Sequence, residues 1–278
     1  AMDDDGTIHT LRAQGKIRRE RLKPKVGDRV ELTPGEGEEH GWIHQILPRR
    51  NELVRPPVAN IDRIVVVVAA ATPDPDLTLA DRMLINARRA GIEAMLVVNK
   101  SDLNPETAAD IVNQYRGADV SPTAISASTG EGLDALRQAL RGKIHALSGQ
   151  SGAGKSTLVN ALYGLSAETG DLSRKIERGK NTTRHCELIP VPEGGMVLDT
   201  PGFSLLETDV FDPVELKESY PEFAEYEGQC FFQPCYHATE PRCAVREAVT
   251  EGKIDAQRHE RYAALLNEMK QRWRERYD

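Results

Sequence analysis

Apolar and polar side chains alternate in short runs over the first fifty residues. The runs are 7–11, 29–32 and 41–47, and a Pro34-Gly35 turn lies between the second and the third. Alternation with a period of two predicts half-buried strands, and glycine and proline between the runs predict tight turns. The pattern therefore predicts a small antiparallel β-barrel that ends at a Pro56-Pro57 linker.

The hydrophobic pattern changes at Ile61, where strand and helix patterns begin to alternate. Ile64–Val68 is a continuous β-branched run, which is typical of a strand buried on both faces. Further strands are predicted at 94–98, 123–125, 144–147, 187–191 and 197–198, and helices at 79–90, 105–115, 133–140, 156–163, 213–226 and 256–275. Up to residue 199 the alternation predicts a mostly parallel α/β sheet.

Composition and charge narrow the function classes. The 278 residues are 39% hydrophobic and 28% charged, which indicates a globular protein of more than one domain. Since no run approaches the roughly 18 apolar residues of a membrane span, we expect no membrane partner and a cytoplasmic location. We also expect a monomer. The formal charge of −7 disfavours attraction of the whole surface to nucleic acid, so any RNA contact is expected from local patches.

One such patch lies between the first two predicted strands. Residues 12–25 hold seven basic side chains and a single acid, Glu20. Loops of small five-stranded barrels often bind RNA, although a solvated hairpin would have the same composition. The candidate RNA-binding residues are Arg18, Arg19, Arg21 and Lys23.

A phosphate-binding loop is the strongest motif in the chain. Gly149–Ser156 matches G-x-x-x-x-G-K-[ST], follows a predicted strand and opens a predicted helix. Backbone N–H groups of such a loop point at phosphates, Lys155 can reach the β and γ oxygens, and the Ser156 hydroxyl can bind Mg²⁺. The predicted nucleotide contacts are Gly149, Gln150, Ser151, Gly152, Ala153, Gly154, Lys155, Ser156 and Thr157.

A second motif selects the base. Asn99-Lys100-Ser101-Asp102 follows a predicted strand, and Ser126-Ala127 ends a neighbouring one. The Asp102 carboxylate can accept from the guanine N1–H and N2 amine, whereas adenine would leave it unpaired, so the motif predicts GTP. We expect Asn99 to hold the loop, Lys100 to lie along the base, and the Ala127 amide to donate to guanine O6.

A third motif predicts the γ-phosphate contacts. Asp199-Thr200-Pro201-Gly202 is a D-x-x-G sequence in which Asp199 can hold the Mg²⁺ shell and the Gly202 amide can bond the γ-phosphate. The polar loop before it offers Thr182 or Thr183 as the remaining Mg²⁺ ligand, with Thr183 slightly preferred. The predicted catalytic residues are Lys155, Thr182, Thr183 and Gly202, and the predicted magnesium ligands are Ser156, Thr183 and Asp199.

The order of these motifs is unusual. Ordinary GTPases have the phosphate loop first, but here N-K-x-D and S-A precede it. The same sheet forms when old termini are joined and a new break is opened, so the order indicates a circular permutation. The D-x-x-G segment then leads directly into the C-terminal part of the chain.

The C-terminal part contains a set of metal ligands. Cys230, Cys235, His237 and Cys243 lie within fourteen residues, and three thiolates with an imidazole suit one tetrahedral, structural Zn²⁺. The fourth cysteine, Cys186, is expected to be a small buried hydrophobe instead.

These features resemble the RsgA (YjeQ) family of circularly permuted GTPases that act on the small ribosomal subunit. The resemblance covers Gly41-Trp42-Ile43, residues 49–60, the permuted motifs and the Cys₃His set. It implies an OB-type barrel at 1–57, a permuted GTPase domain at 58–208 and a zinc-binding helical domain at 209–278. It also implies GTP hydrolysis stimulated by the 30S subunit, a role in its late maturation, and 16S rRNA binding through the barrel and the zinc domain.

The chain departs from this family in the loop that carries the threonines. The family usually has a histidine ahead of them, and this chain has Asn181, with His185 as the candidate substitute. Phe203 stands where Ras-like enzymes carry a water-orienting glutamine, and it cannot hydrogen bond to water. We therefore expect slow intrinsic hydrolysis that ribosomal groups complete.

Two other functions are compatible with some of these motifs. One is a GTP-gated RNA-binding clamp whose hydrolysis is incidental. The other is an ATPase or kinase, which Asp102 disfavours because adenine offers it no donor pair.

Overall fold

The computed structural model describes residues 1–15, 17, 22–35, 39–53, 57–165, 186–199 and 210–276, without the side chain of Asp199. The N-terminal part contains a three-stranded sheet and a two-stranded one. Its strands are β1 (Leu11–Ala13), β2 (Val30–Thr33), β3 (Gly41–Ile46), β4 (Glu52–Leu53) and β5 (Val58–Ala59). The segment before β2 contacts β5, where the Ala59 amide donates to the Val26 carbonyl at 2.9 Å.

The strand pairing differs from the predicted antiparallel barrel in one place. The order is β1-β3-β2, and β3 pairs antiparallel with β2 but parallel with β1. A parallel pair needs a long connection, and residues 14–40, which include β2, provide one between β1 and β3. Alternation along a strand reports which face is buried but not the direction of its neighbour, so the sequence could not predict this pairing.

The central sheet has six strands. They are β6 (Arg63–Ala69), β7 (Glu93–Asn99), β8 (Thr123–Ala124), β9 (Ile144–Gly149), β10 (Glu187–Pro190) and β11 (Met196–Asp199). Their order is β10-β11-β9-β6-β7-β8, and every neighbouring pair is parallel except β10 and β11. Val65–Val68 in β6 are at most 2% exposed, as a strand covered on both faces requires. The predicted mostly parallel sheet is confirmed.

Four helices cover this sheet, and their ends follow from the sequence. They are α1 (Leu77–Arg89), α2 (Pro105–Gln114), α3 (Leu133–Leu140) and α4 (Lys155–Tyr163). The Asp76 carboxylate accepts from the Leu79 amide at 2.8 Å, and Asn104 caps α2 in the same way. The first two helices contribute to one apolar cluster and the other two to a second, on the opposite side of the sheet.

The C-terminal part contains helices α5 (Ala244–Thr250) and α6 (Ala256–Arg274). The helix predicted at 213–226 is instead two 3₁₀ segments, Pro213–Ser219 and Pro221–Tyr226. Pro221 has no N–H and cannot continue a helix, so it separates them. No described helix combines the length and the apolar character that crossing a bilayer requires.

A buried ion-pair network attaches α6 to α1. The Asp81 side chain is fully buried and accepts from Arg258 Nη1 and from Arg261 Nε, each at 2.7 Å. The hydroxyl of Tyr115, just after α2, donates to the same carboxylate at 2.6 Å. Arg258 also pairs with Glu222, which lies in the second 3₁₀ segment. The C-terminal part is thus held to the sheet domain by charges that are largely or fully buried.

We expect Asp81→Asn to lower the free energy of unfolding by about 3–5 kcal/mol, since it leaves buried guanidinium charge uncompensated. Urea unfolding followed by circular dichroism measures the change. The matched control is Glu268→Gln, because Arg82 and Glu268 form a pair in the same interface with side chains 22% and 41% exposed. In that control the free energy of unfolding should fall by about 1 kcal/mol or less. Equal losses in the two variants would contradict the prediction.

Candidate functional site

The carboxyl ends of the parallel strands bring the predicted nucleotide motifs together. The phosphate loop follows β9, Asn99 ends β7, and Ser126 follows β8. In an open α/β sheet the ligand crevice lies outside these carboxyl ends. The N-K-x-D, S-A and phosphate-loop sequences therefore share one edge of the sheet despite their permuted order.

Two positions of the phosphate loop require glycine. Gly149 has φ +146°, and a Cβ there would lie 2.0 Å from the Val67 carbonyl oxygen. Gly154 has φ +90°, and its Cβ would lie 2.4 Å from Asn99 Nδ2. The loop leads into the N-terminus of α4 at Lys155, where free amide groups and the helix dipole favour an anion.

The Lys155 ammonium is folded back over the loop. Its Nζ donates to the carbonyls of Gly149 at 2.7 Å and Gln150 at 2.9 Å. Burial lowers the pKa of Lys155, because the charged form loses water that these two carbonyls only partly replace. A bound phosphate would supply an anionic partner for this ammonium group, whose two partners here are neutral carbonyls.

Asn99 joins the two other motifs to the phosphate loop. The side chain is 2% exposed; its Nδ2 donates to the Ala153 carbonyl at 2.9 Å, and its Oδ1 accepts from the Ala127 amide at 3.0 Å. The expected loop-holding contact is therefore present. The Ala127 amide was expected to face guanine O6, but in this structure it donates to Asn99, which lies within reach across the strand ends.

Lys100 and Asp102 line the same edge. Lys100 Nζ donates to the Gly152 carbonyl at 2.8 Å and to the Thr72 carbonyl. The Asp102 carboxylate is exposed and accepts from the Ser128 hydroxyl at 3.4 Å. Ser126 is fully buried, and its hydroxyl accepts from the Thr129 amide at 3.1 Å, so it shapes the turn. Of these three residues, Asp102 is the exposed one.

The loop after β6 was not predicted from the sequence. The Asp76 amide donates to Gln150 Oε1 at 3.2 Å, and a Cβ at Gly152 would meet Pro73 Cδ at 3.2 Å. This loop therefore packs against the phosphate loop. Its position directly after a fully buried parallel strand is the signal that would have placed it at the ligand edge.

Several predicted residues lie outside the part of the chain that the structure describes. They are Thr182, Thr183, His185, Gly202, Arg18, Arg19 and Arg21, together with the side chain of Asp199. Of the predicted magnesium ligands, Ser156 is described and lies exposed in the first turn of α4. Of the predicted RNA contacts, Lys23 is described and is exposed.

The four predicted metal ligands converge in the C-terminal part. Cys230, Cys235, His237 and Cys243 are buried, with ligand atoms all within 4.8 Å of one another. The Cys230 and Cys243 sulfurs are 3.8 Å apart, and His237 Nδ1 lies 3.5 and 3.4 Å from them. Tetrahedral Zn²⁺ with Zn–S of about 2.3 Å and Zn–N of about 2.0–2.1 Å gives edges of about 3.8 and 3.6 Å. The cluster fits a structural zinc.

The surroundings of the cluster also fit a cation. Burial raises the pKa of Cys235 to about 12, so the thiolate form needs a positive charge beside it. Glu227 Oε2 lies 2.8 Å from His237 Nε2 and orients the ring so that Nδ1 faces the sulfurs. Glu227 was missed in the sequence because it lies outside the cysteine spacing. Cys186 is half-buried beside the main apolar cluster and is not part of this metal set.

Taken together, the fold and both sites define a circularly permuted P-loop nucleotide-binding protein with a C-terminal Cys₃His cluster. A family model described as RsgA GTPase matches residues 46–209. The chain belongs to this family.

Individual relatives match over nearly the whole chain. The "Small ribosomal subunit biogenesis GTPase RsgA" of Agathobacter rectalis is 42% identical over 96% of this chain and 89% of its own length. The crystal structure of YjeQ from Thermotoga maritima has a TM-score of 0.81 and 36% identity, and the two chains are covered to 96% and 92%. The crystal structure of YloQ, a circularly permuted GTPase, has a TM-score of 0.77 and 32% identity, with coverage of 97% and 89%.

Proposed function

We propose that this chain is a GTP-hydrolysing factor that acts in late maturation of the 30S ribosomal subunit. The observation that carries the nucleotide part is a pair of hydrogen bonds at Asn99, which donates to the Ala153 carbonyl and accepts from the Ala127 amide. This pair attaches the N-K-x-D sequence to the phosphate loop. The ribosomal part is supported by the relatives, which are named small ribosomal subunit biogenesis GTPases. Those names disfavour the clamp with incidental hydrolysis.

In this proposal the nucleotide lies along the carboxyl edge of the sheet. Asp102 accepts from guanine, and Asn99 and Lys100 hold the base-reading loop against the phosphate loop. Residues 149–157 hold the phosphates, and Lys155 leaves its carbonyl partners for the β and γ oxygens. Thr182 or Thr183 and Gly202 complete the γ-phosphate contacts.

Two metals accompany this function. Ser156, Thr183 and Asp199 would hold Mg²⁺ with GTP or GDP, and the ion neutralises charge on the phosphate oxygens when bound. Cys230, Cys235, His237 and Cys243 would hold one Zn²⁺, whose four protein ligands leave no catalytic position open. This zinc therefore stabilises the C-terminal part.

The division into domains follows the same proposal. Residues 1–57 would be the RNA-binding barrel, 58–208 the GTPase domain and 209–278 the zinc domain, with 16S rRNA as the partner of the first and the last. The protein would act as a monomer in the cytoplasm, where ribosomal subunits are assembled. Arg18, Arg19, Arg21 and Lys23 remain the proposed RNA contacts of the barrel.

The test is the GTPase rate of the protein alone and with purified 30S, 50S or 70S particles, with ATP as a control. We expect slow hydrolysis by the protein alone, because Asn181 stands where the family usually has a histidine and Phe203 cannot hydrogen bond to water. We expect strong stimulation by 30S. Lys155→Ala in the same assay should abolish the stimulated rate. Fast hydrolysis by the protein alone, or equal rates with every particle, would contradict the proposal.

A further inference from the structure

The N-terminal part and the central sheet share one apolar core. Leu53 in β4 and Val58 in β5 are buried in the same cluster as Ile64 in β6. Ile61, which lies between β5 and β6, is 1% exposed and belongs to this cluster too. Two domains of one chain generally move relative to each other unless an apolar interface joins them. The shared cluster provides such an interface at this junction.

Asn60 connects the two parts at the junction. The residue is 3% exposed and has φ +58°, a conformation that asparagine tolerates. Its side chain donates to the Gly27 carbonyl and accepts from the Arg50 amide, each at 2.9 Å. Its amide donates to the Asn51 carbonyl at 3.0 Å, and its carbonyl accepts from Arg50 Nη2 at 3.2 Å. All four polar groups of Asn60 are therefore bonded to the N-terminal part.

The residues beside these partners add further contacts. Asn51 Nδ2 donates to the Ile61 carbonyl at 2.8 Å, and Asn51 Oδ1 accepts from the Ile61 amide at 3.0 Å. Gly27 has φ +91°, and a Cβ there would lie 2.0 Å from the Ala59 carbonyl oxygen. A buried polar network whose members are all paired makes a structure rigid. These contacts fix the segment before β2 against the chain that enters β6.

Asp62 extends the attachment to the strand that carries the phosphate loop. Its carboxylate accepts from the Ile144 amide at 2.7 Å and pairs with Arg50 Nη2 at 2.8 Å. The Asp62 amide in turn donates to the Ile144 carbonyl at 2.7 Å. Ile144 is the first residue of β9, and Gly149, which begins the phosphate loop, is the last. The N-terminal part is thus bonded to one end of the strand whose other end leads to the nucleotide.

We propose that the N-terminal part and the sheet domain form one rigid body, so that binding and loss of nucleotide leave their relative orientation unchanged. Domain movement needs hinge residues that absorb large changes in φ and ψ. Asn60 and Ile61 cannot do so without breaking hydrogen bonds at both of their backbone groups. The N-terminal part then presents the same face in every nucleotide state. Nucleotide control of partner binding arises elsewhere in the chain, a conclusion that goes beyond the proposed function.

The test measures the distance between nitroxide labels on β2 and α3 in the full chain. Glu31 and Ala135 are exposed and serve as the label positions. A ketone-bearing amino acid at each position carries the label, which leaves the cysteine thiols unmodified. Pulsed electron paramagnetic resonance then gives the distance distribution without nucleotide, with GDP and with a non-hydrolysable GTP analogue. We expect a single narrow peak whose mean differs by less than about 2 Å between the three states.

A second comparison loosens the junction. Asn60→Gly keeps the positive φ without strain and removes both side-chain hydrogen bonds, and Asn51→Ala removes the pair with Ile61. We expect the double variant to broaden the distance distribution by more than about 2 Å. The matched control is Asn113→Ala, because the Asn113 side chain makes an exposed hydrogen bond to Arg116, away from the junction. This control should leave the distribution unchanged.

Two results would overturn the inference. One is a broad or multiple-peaked distribution in the unchanged protein. The other is a mean distance that shifts by more than about 2 Å between the GDP state and the GTP-analogue state. Failure to bind GTP would count against the proposed function instead, and the nucleotide-free distributions of the unchanged protein and the double variant would still decide whether the junction is rigid.

Discussion

We expect removal of zinc to unfold the C-terminal part of the molecule. Structural zinc contributes about 10–16 kcal/mol of binding free energy in small zinc domains, and without it three buried thiols and an imidazole surround an empty centre. We expect Cys235→Ser to abolish zinc binding and to lower the melting temperature of the C-terminal part. Zinc content by elemental analysis and thermal unfolding by circular dichroism measure the two effects.

Cys186→Ser is the matched control for the zinc prediction. Cys186 is half-buried beside the sheet and outside the metal cluster, so its variant should keep one zinc per chain. A chelator should reproduce the Cys235→Ser melting curve in the unchanged protein. The prediction fails if Cys235→Ser retains one zinc and melts like the control.

We expect loss of the Asp102 carboxylate to remove the preference for GTP over ATP. Each hydrogen bond to a charged group contributes about 1.5–3 kcal/mol, and this carboxylate is proposed to accept two from guanine. We therefore expect Asp102→Ala to weaken GTP binding about 10²- to 10⁴-fold, with little change for ATP, which makes neither bond. Competition of GTP and ATP against a fluorescent GDP analogue measures both affinities.

The control for this prediction is Asp119→Asn. Asp119 has a side chain that is 82% exposed, and asparagine tolerates its positive φ of +54°. This variant removes a carboxylate from the same domain and should bind GTP normally. If Asp102→Ala kept the full GTP preference, the base would have to be selected elsewhere.

Periodicity predicted most of the sheet domain because its strands and helices are long and bounded by caps and turns. The predicted helix 133–140 coincides with α3, and predicted strands 144–147 and 187–191 coincide with β9 and β10 to within two residues. The helix α5 was missed because its seven residues are too few for a 3.6-residue period to emerge.

Site prediction was successful where the chemistry is encoded in local spacing. The cysteine and histidine spacing located the metal cluster, and Gly149–Ser156 located the phosphate loop. Local spacing does not predict contacts between residues that lie outside a motif. Glu227 beside His237 and Gln150 beside Asp76 depend on how the chain folds back, and no local pattern reports that.

The Asp81 network has a consequence for the order in which the molecule folds. Arg258 and Asp81 are 177 residues apart in sequence, so this contact closes one of the longest loops in the chain. During synthesis the sheet domain emerges first and carries a carboxylate whose guanidinium partners do not yet exist. Until those partners arrive, water has to supply the hydrogen bonds of this carboxylate. Docking of α6 therefore completes the sheet domain as well as the C-terminal part. In chains that end before residue 258, Asp81 in α1 has neither of its guanidinium partners.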